Sequence, residues 1–147
     1  MKALHNALIT LAGVLNHPGN DERLIAAAGI RLDRALFRLL VVIERAGPIG
    51  VVELAARVGR DYTTVSRQVA RLEARGLITR RGNPQDRRIR EAVVAPAGKV
   101  MTQRLDAARA RMAVEVFRDW STEDVAGLVR LMGRFAAELE RMESSSG

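Results

Sequence analysis

At Gly76 the hydrophobic period of this chain changes, and that change limits the fold more than any other feature of the sequence. Before it, Val65, Val69 and Leu72 recur at helical spacing and leave Thr63, Thr64, Ser66, Arg67, Gln68 and Arg71 facing outward. Beyond it, Leu77-Ile78-Thr79-Arg80-Arg81 has strand character and Gly82-Asn83-Pro84-Gln85-Asp86 is dense in turn formers. Ile89 to Val94 then reads as a returning strand. Asp61 is placed to cap the helix at its start, and Gly76 can take the left-handed conformation that closes it after about Arg75. A shorter helix precedes it, with Leu54, Ala55 and Val58 on one face of Val51 to Val58 and Gly59 at its end. A short helix, a tight turn, a second helix with a polar outer face and a basic hairpin predict a winged helix-turn-helix over residues 49–95.

On either side the pattern is helical. Leu4, Ala7, Leu8, Leu11, Ala12 and Leu15 predict an amphipathic helix, and His17-Pro18-Gly19-Asn20 reads as a breaker. Helical periodicity resumes from Arg23 to Ala28 and is interrupted at Gly29. Asp33 can cap a helix running to about Arg45, with Leu36, Leu39, Leu40 and Ile43 on one face, and Gly47-Pro48 ends it. Pro96 restarts a helix at its first turn, where a missing N–H costs little. Met101, Leu105, Ala108, Met112 and Val116 share one face of that helix. Ser121 with Asp124 resembles a capping box for the last helix, whose apolar Val125, Leu128, Met132, Phe135, Leu139 and Met142 step by three and four residues.

These stripes exceed what a small winged module needs to bury. Residues 1–46 and 96–143 are therefore expected to form a homodimer interface through Leu4, Leu8, Val125, Leu128, Met132, Phe135 and Leu139. The chain, 1–147, reads as a single domain that is mainly α with a small β-hairpin wing, and 144–147 as a flexible tail.

Composition narrows the function. The 147 residues, 48% hydrophobic and 28% charged, suit an ordinary folded domain with a real core. There is no cysteine, which removes disulfides, thiolate metal sites and any cysteine redox switch. His5 and His17 have no other soft ligand nearby, so neither a metal nor a cofactor is expected. Residues 3–20 carry no formal charge and follow Lys2, somewhat as a secretory leader would. Asn6, Asn16 and His17 interrupt that stretch, no A-x-A site follows, and it falls short of the roughly 20 apolar residues of a membrane span. A cytoplasmic protein without a membrane partner is expected. No Ser/His/Asp constellation, phosphate-cradling glycine loop or carboxylate pair suggests an enzyme.

The net charge of +7 is concentrated. Between Arg57 and Arg90 stand ten arginines and three acids, Asp61, Glu73 and Asp86, while the 14 basic and 14 acidic residues elsewhere cancel. A run of charge is more often a solvated face than a binding site. Here it is almost pure arginine, suited to phosphate forks, and it coincides with the helix–hairpin pattern, so polyanion binding is the leading reading.

The order of elements resembles the MarR (multiple antibiotic resistance regulator) family over nearly the whole chain. The resemblance rests on Val65-Ser66-Arg67-Gln68-Val69-Ala70-Arg71-Leu72-Glu73-Ala74-Arg75-Gly76-Leu77-Ile78-Thr79-Arg80-Arg81. It rests also on Asn83-Pro84-Gln85-Asp86-Arg87-Arg88, similar to a wing motif of Asp, any residue, Arg. It implies a homodimeric regulator on a palindromic double-stranded DNA operator, in many members released by a small-molecule effector or oxidant. It also implies an effector cleft, for which Leu11, Leu15, Phe37 and Trp120 are candidate walls, the alternative being that they belong to the core. Two departures stand out. Val94-Ala95-Pro96-Ala97-Gly98 replaces the usual Leu-Thr before the long helix, removing a side-chain cap worth about 1 kcal/mol. The cysteine of oxidant-sensing members is absent.

On this reading the helix 62–75 enters the major groove. Thr63, Thr64, Ser66, Arg67 and Gln68 are best placed for base edges, arginine and glutamine having the bidentate geometry for guanine and adenine. Arg57, Arg60, Arg71 and Arg75 suit phosphates or solvent, and Tyr62 suits a phosphate or packing. At the wing Arg88 is the candidate for minor-groove insertion, with Asp86 holding its guanidinium; Arg87 and Arg90 add phosphate contact, and Arg80 and Arg81 complete the DNA-binding set of the wing. The alternatives are a surface Asp–Arg pair of little worth at the wing, a non-specific architectural DNA-binding protein, and a winged-helix module that binds an acidic protein partner.

Overall fold

The structure, a computed structural model, describes residues 1–145. Two compact units divide within one long helix: Met1–Arg109 and the segment from Ala110 onward.

The first unit holds α1 (Lys2–Leu15), α2 (Pro18–Ala28), α3 (Arg34–Ala46), α4 (Val51–Val58) and α5 (Tyr62–Ala74), with most of α6 (Pro96–Val116). A three-stranded antiparallel sheet completes it, in the order β1 (Ile49–Gly50), β3 (Arg90–Val94), β2 (Ile78–Gly82). The hairpin expected from the sequence is therefore wider by one strand. Ile49 pairs with Ala92 and Gly50 with Glu91, a two-residue strand too short to show any period.

The start of α2 also departs from expectation. Pro18 lies inside the helix rather than in a breaker: His17 is the N-cap, its Nδ1 accepting the Gly19 N–H at 3.1 Å, and Pro18 occupies the first turn. Proline and glycine after a capping residue start a helix as readily as they end one. Gly29 then closes α2 in the left-handed conformation at φ 65°.

The core explains why α5 sits where it does. Leu36, Leu39, Leu40 and Ile43 of α3, Leu54 of α4, Val65, Val69 and Leu72 of α5, and Leu105 of α6 are all fully buried, with Ile49 and Ile78 from the sheet. Truncating one such leucine to alanine costs about 2–5 kcal/mol. The end of α5 is set by Gly76 at φ 69°, and the Leu77 N–H returns to the Leu72 carbonyl at 3.0 Å.

The start of α6, which lacks the threonine cap, is secured by backbone packing instead. The Leu77 carbonyl accepts the Ala95 N–H at 3.0 Å, and a Cβ built on Gly98 would lie only 2.0 Å from that same oxygen. Only a glycine fits there.

In the second unit Ser121 caps α7 (Thr122–Ser144), accepting the Asp124 N–H at 3.0 Å while its hydroxyl donates to the Asp124 carboxylate at 2.6 Å. Phe117 and Trp120 meet edge-to-face, ring centres 5.3 Å apart. Ser144 belongs to α7 and not to a tail, its hydroxyl donating to the Glu140 carbonyl at 2.9 Å; Ser146 and Gly147 lie outside the described residues. No residue of α1 or α7 is buried. Among the described residues, no helix is long and apolar enough to cross a membrane, and no cluster of His, Cys, Asp or Glu could hold a metal.

Candidate nucleic-acid interface

The outer face of α5 follows from its inner one. With Val65, Val69 and Leu72 buried, a helical step of about 100° per residue puts Thr63, Arg67, Ala70 and Ala74 opposite the core. Arg67 is exposed at the centre of that face, flanked by small side chains, while Ser66 and Gln68 are half-buried on its edges. Tyr62 is exposed at the first turn.

Thr64 is not a free reader. Asp61 caps α5 by accepting the Thr64 N–H at 2.9 Å, and the Thr64 hydroxyl donates to the other carboxylate oxygen at 2.6 Å. These hydrogen bonds, the side-chain one foremost, hold the Asp61 carboxyl below its ordinary pKa.

The wing is organised by a residue outside the expected DNA-binding set. Asn83 Oδ1 accepts the N–H groups of Gln85 and Asp86 at 2.8 and 3.1 Å, its N–H reaches the Ile89 carbonyl at 2.9 Å, and its amide donates to Glu91 at 2.5 Å. Its place in a Gly-Asn-Pro turn was the available signal, because asparagine side chains commonly cap their own turns.

Asp86 does not hold the Arg88 guanidinium. Its carboxylate accepts the backbone N–H of Arg88 at 3.0 Å, and its carbonyl accepts the Ile89 N–H at 3.0 Å. The expected charge pair is thus a backbone clamp: Asp86 shapes the loop and leaves the arginine side chain, like that of Arg87, exposed.

Several arginines expected to contact DNA are instead engaged within the chain. Arg71 Nη2 lies 2.9 Å from Asp33 Oδ2. Arg80 Nε lies 3.3 Å from Glu73 Oε2, buried and without a well-formed hydrogen bond among the described residues. Arg81 stands 4.0 Å from Glu91, and Arg90 donates to the Arg80 carbonyl at 3.3 Å. Arg57 pairs with Glu53 at 2.9 Å, and Arg75 reaches the Arg31 carbonyl at 3.4 Å. Among the described residues, the exposed arginines at the expected contact points whose side chains are not engaged within the chain are therefore Arg60 before α5, Arg67 on the helix, and Arg87 and Arg88 on the wing.

The expected effector-wall residues fall in different settings. Phe37 is only 4% exposed, in the core of the first unit. Leu11 and Leu15 are exposed on α1, and Trp120 packs on Phe117 in the second unit. Of the expected dimer residues, Leu4, Met132 and Leu139 are exposed, and Leu8, Val125, Leu128 and Phe135 half-buried.

A capped recognition-type helix, a tight joint to α4 and a three-stranded wing define a winged helix-turn-helix protein. The MarR family model matches residues 32–89, from just before α3 into the wing. It is 33% identical over 93 residues to YxaD of Bacillus subtilis (strain 168), an uncharacterized HTH-type transcriptional regulator; the match covers 63% of this chain and 65% of that relative, slightly under two thirds of its length. The crystal structure of MarR superposes with a TM-score of 0.68 at 26% identity, over 92% of this chain and 94% of that one. Streptococcus pneumoniae FabT in complex with DNA shares the fold at a TM-score of 0.64 and 17% identity, over 96% and 98% of the two chains. YxaD and a second Bacillus subtilis relative, YdgJ, 25% identical over 119 residues, are both named HTH-type transcriptional regulators.

Proposed function

We propose that the protein is a cytoplasmic transcriptional repressor that binds a palindromic operator in duplex DNA as a homodimer, and that a small molecule releases it. The observation that carries this reading is the outward face of α5. Its centre, Arg67, is exposed between Thr63 and Ala70 and faces away from the core that fixes the helix. Small neighbours let a helix approach base edges closely, and an arginine there has the fork geometry for guanine. The wing offers Arg87 and Arg88 for the flanking minor groove.

Dimerisation is supported by the apolar side chains that α1 and α7 leave in solvent, among them Leu4, Ile9, Leu131, Met132 and Leu139. Two-fold symmetry would then set half-sites about one helical turn, roughly 10 bp, apart. Release by an effector rests on the family resemblance.

Genome-wide capture of bound fragments, followed by titration of a recovered fragment against random duplex at one salt concentration, tests the proposal. A specific operator should bind about a thousandfold tighter or more. Equal affinity for both duplexes would point to a non-specific architectural protein, and no binding even at low salt to a protein-interaction module.

A further inference from the structure

Asp33 performs two tasks at once. Its Oδ1 accepts the Leu36 N–H at 2.9 Å and so caps α3, while its Oδ2 takes Arg71 Nη2 of α5 at 2.9 Å. Arg71 is one of the cations on the flank of the recognition-type helix, and its partner stands 38 residues away in sequence. The pair is exposed, with 54% of the Arg71 side chain and 44% of the Asp33 side chain accessible, so it adds little to the hold on α5. That hold comes from Val65, Val69 and Leu72, each completely buried. What the pair changes is charge: it places a carboxylate against a cation that would otherwise be available to a phosphate.

We propose that Asp33 is a restraint on DNA affinity, keeping Arg71 out of the set of phosphate contacts and so lowering the sequence-independent part of binding. This rests on the DNA-binding reading above. Arg67 on the outward face and the wing arginines are left to do the binding, and backbone attraction, which does not discriminate between sequences, is held down.

The test is the salt dependence of binding to a random duplex, measured for the full-length protein and three variants. Asp33→Asn keeps the cap, because asparagine is as good an N-cap as aspartate, but releases Arg71. Its slope of log affinity against log salt should steepen by about 0.9 for each subunit, about 1.8 for the dimer, with several-fold tighter binding at about 0.1 M salt. Arg71→Gln alone should leave the slope at the wild-type value, and Asp33→Asn with Arg71→Gln should return it there. An unchanged slope in Asp33→Asn would overturn the proposal, as would weaker binding, which would make the pair a positioning device. A steep slope persisting in the double variant would also overturn it, since the gain would not pass through Arg71. If the wild-type protein binds no duplex at low salt, the DNA-binding reading fails as well. If it binds but the slope does not respond, only the role of Asp33 fails.

Discussion

The Asp86 carboxylate grips the backbone N–H of Arg88, at 3.0 Å, and not its guanidinium. Asp86 therefore decides where the Arg88 side chain begins and leaves its charged end available. Arg88→Ala should weaken operator binding by about tenfold or more, as loss of a well-placed arginine contact does, with the thermal unfolding midpoint unchanged. Unchanged affinity in a gel-shift titration would remove Arg88 from the interface.

The same geometry separates two substitutions at position 86. Asp86→Asn retains an oxygen that can accept the Arg88 N–H, so operator affinity should be kept. Asp86→Ala removes the acceptor and should weaken binding by loosening the loop. Were the aspartate acting through the guanidinium, the two variants would lose affinity together. Parallel titrations of both decide the matter.

Arg67 and Arg71 should behave differently. Arg67 is exposed opposite the buried stripe of α5, whereas Arg71 is paired with Asp33. Arg67→Ala should relax sequence preference, reducing affinity for the operator by about 1–3 kcal/mol while changing random-duplex binding much less. Arg71→Ala should leave the ratio of the two affinities near the wild-type value. Equal losses on operator and random duplex for Arg67→Ala would count against base readout.

Gly98 is required by backbone proximity. An added methyl group would meet the Leu77 carbonyl oxygen at 2.0 Å and its carbon at 3.0 Å, so the first turn of α6 would have to move. Gly98→Ala should cost about 1–3 kcal/mol or more, even though alanine is the better helix former. Denaturant unfolding measures this, and a gain in stability would show that α6 starts elsewhere.

Acid should loosen the recognition-type helix through its cap. The hydrogen bonds from Thr64 depress the Asp61 pKa, so the folded form favours the ionised carboxylate. That contribution is present above the unfolded value, about 4, and is lost as pH falls through the lower folded value. In Asp61→Asn, which keeps an acceptor but does not titrate, stability should lose this part of its acid dependence. Superimposable acid unfolding curves for the two proteins would contradict the assignment.

What the sequence revealed was local. Asp33, Asp61 and Gly76 act within a few residues of themselves, so their roles as helix ends could be read from their neighbours. The apolar stripe of α5 likewise announced both the buried face and the outward one. Relationships across the chain were not legible. β1 exists only because Ile49 meets Ala92, and Asp33 meets Arg71 only after α3 and α5 have packed. The sequence separated Arg67, as a base reader, from Arg71, as a phosphate or solvent-facing cation, but could not show that the fold pairs Arg71 with Asp33. The start of α2 was obscured for a different reason: Pro18 and Gly19 suit a helix start and a break equally well.

The central claim is that two copies of α5 read a symmetric sequence. Selection of duplexes from a fully randomised library by the purified protein tests it most directly. The account predicts enrichment of a two-fold symmetric sequence with half-sites about 10 bp apart, and loss of that enrichment in Arg67→Ala. Recovery of unrelated sequences with no common half-site, at salt where the protein still binds, would contradict it.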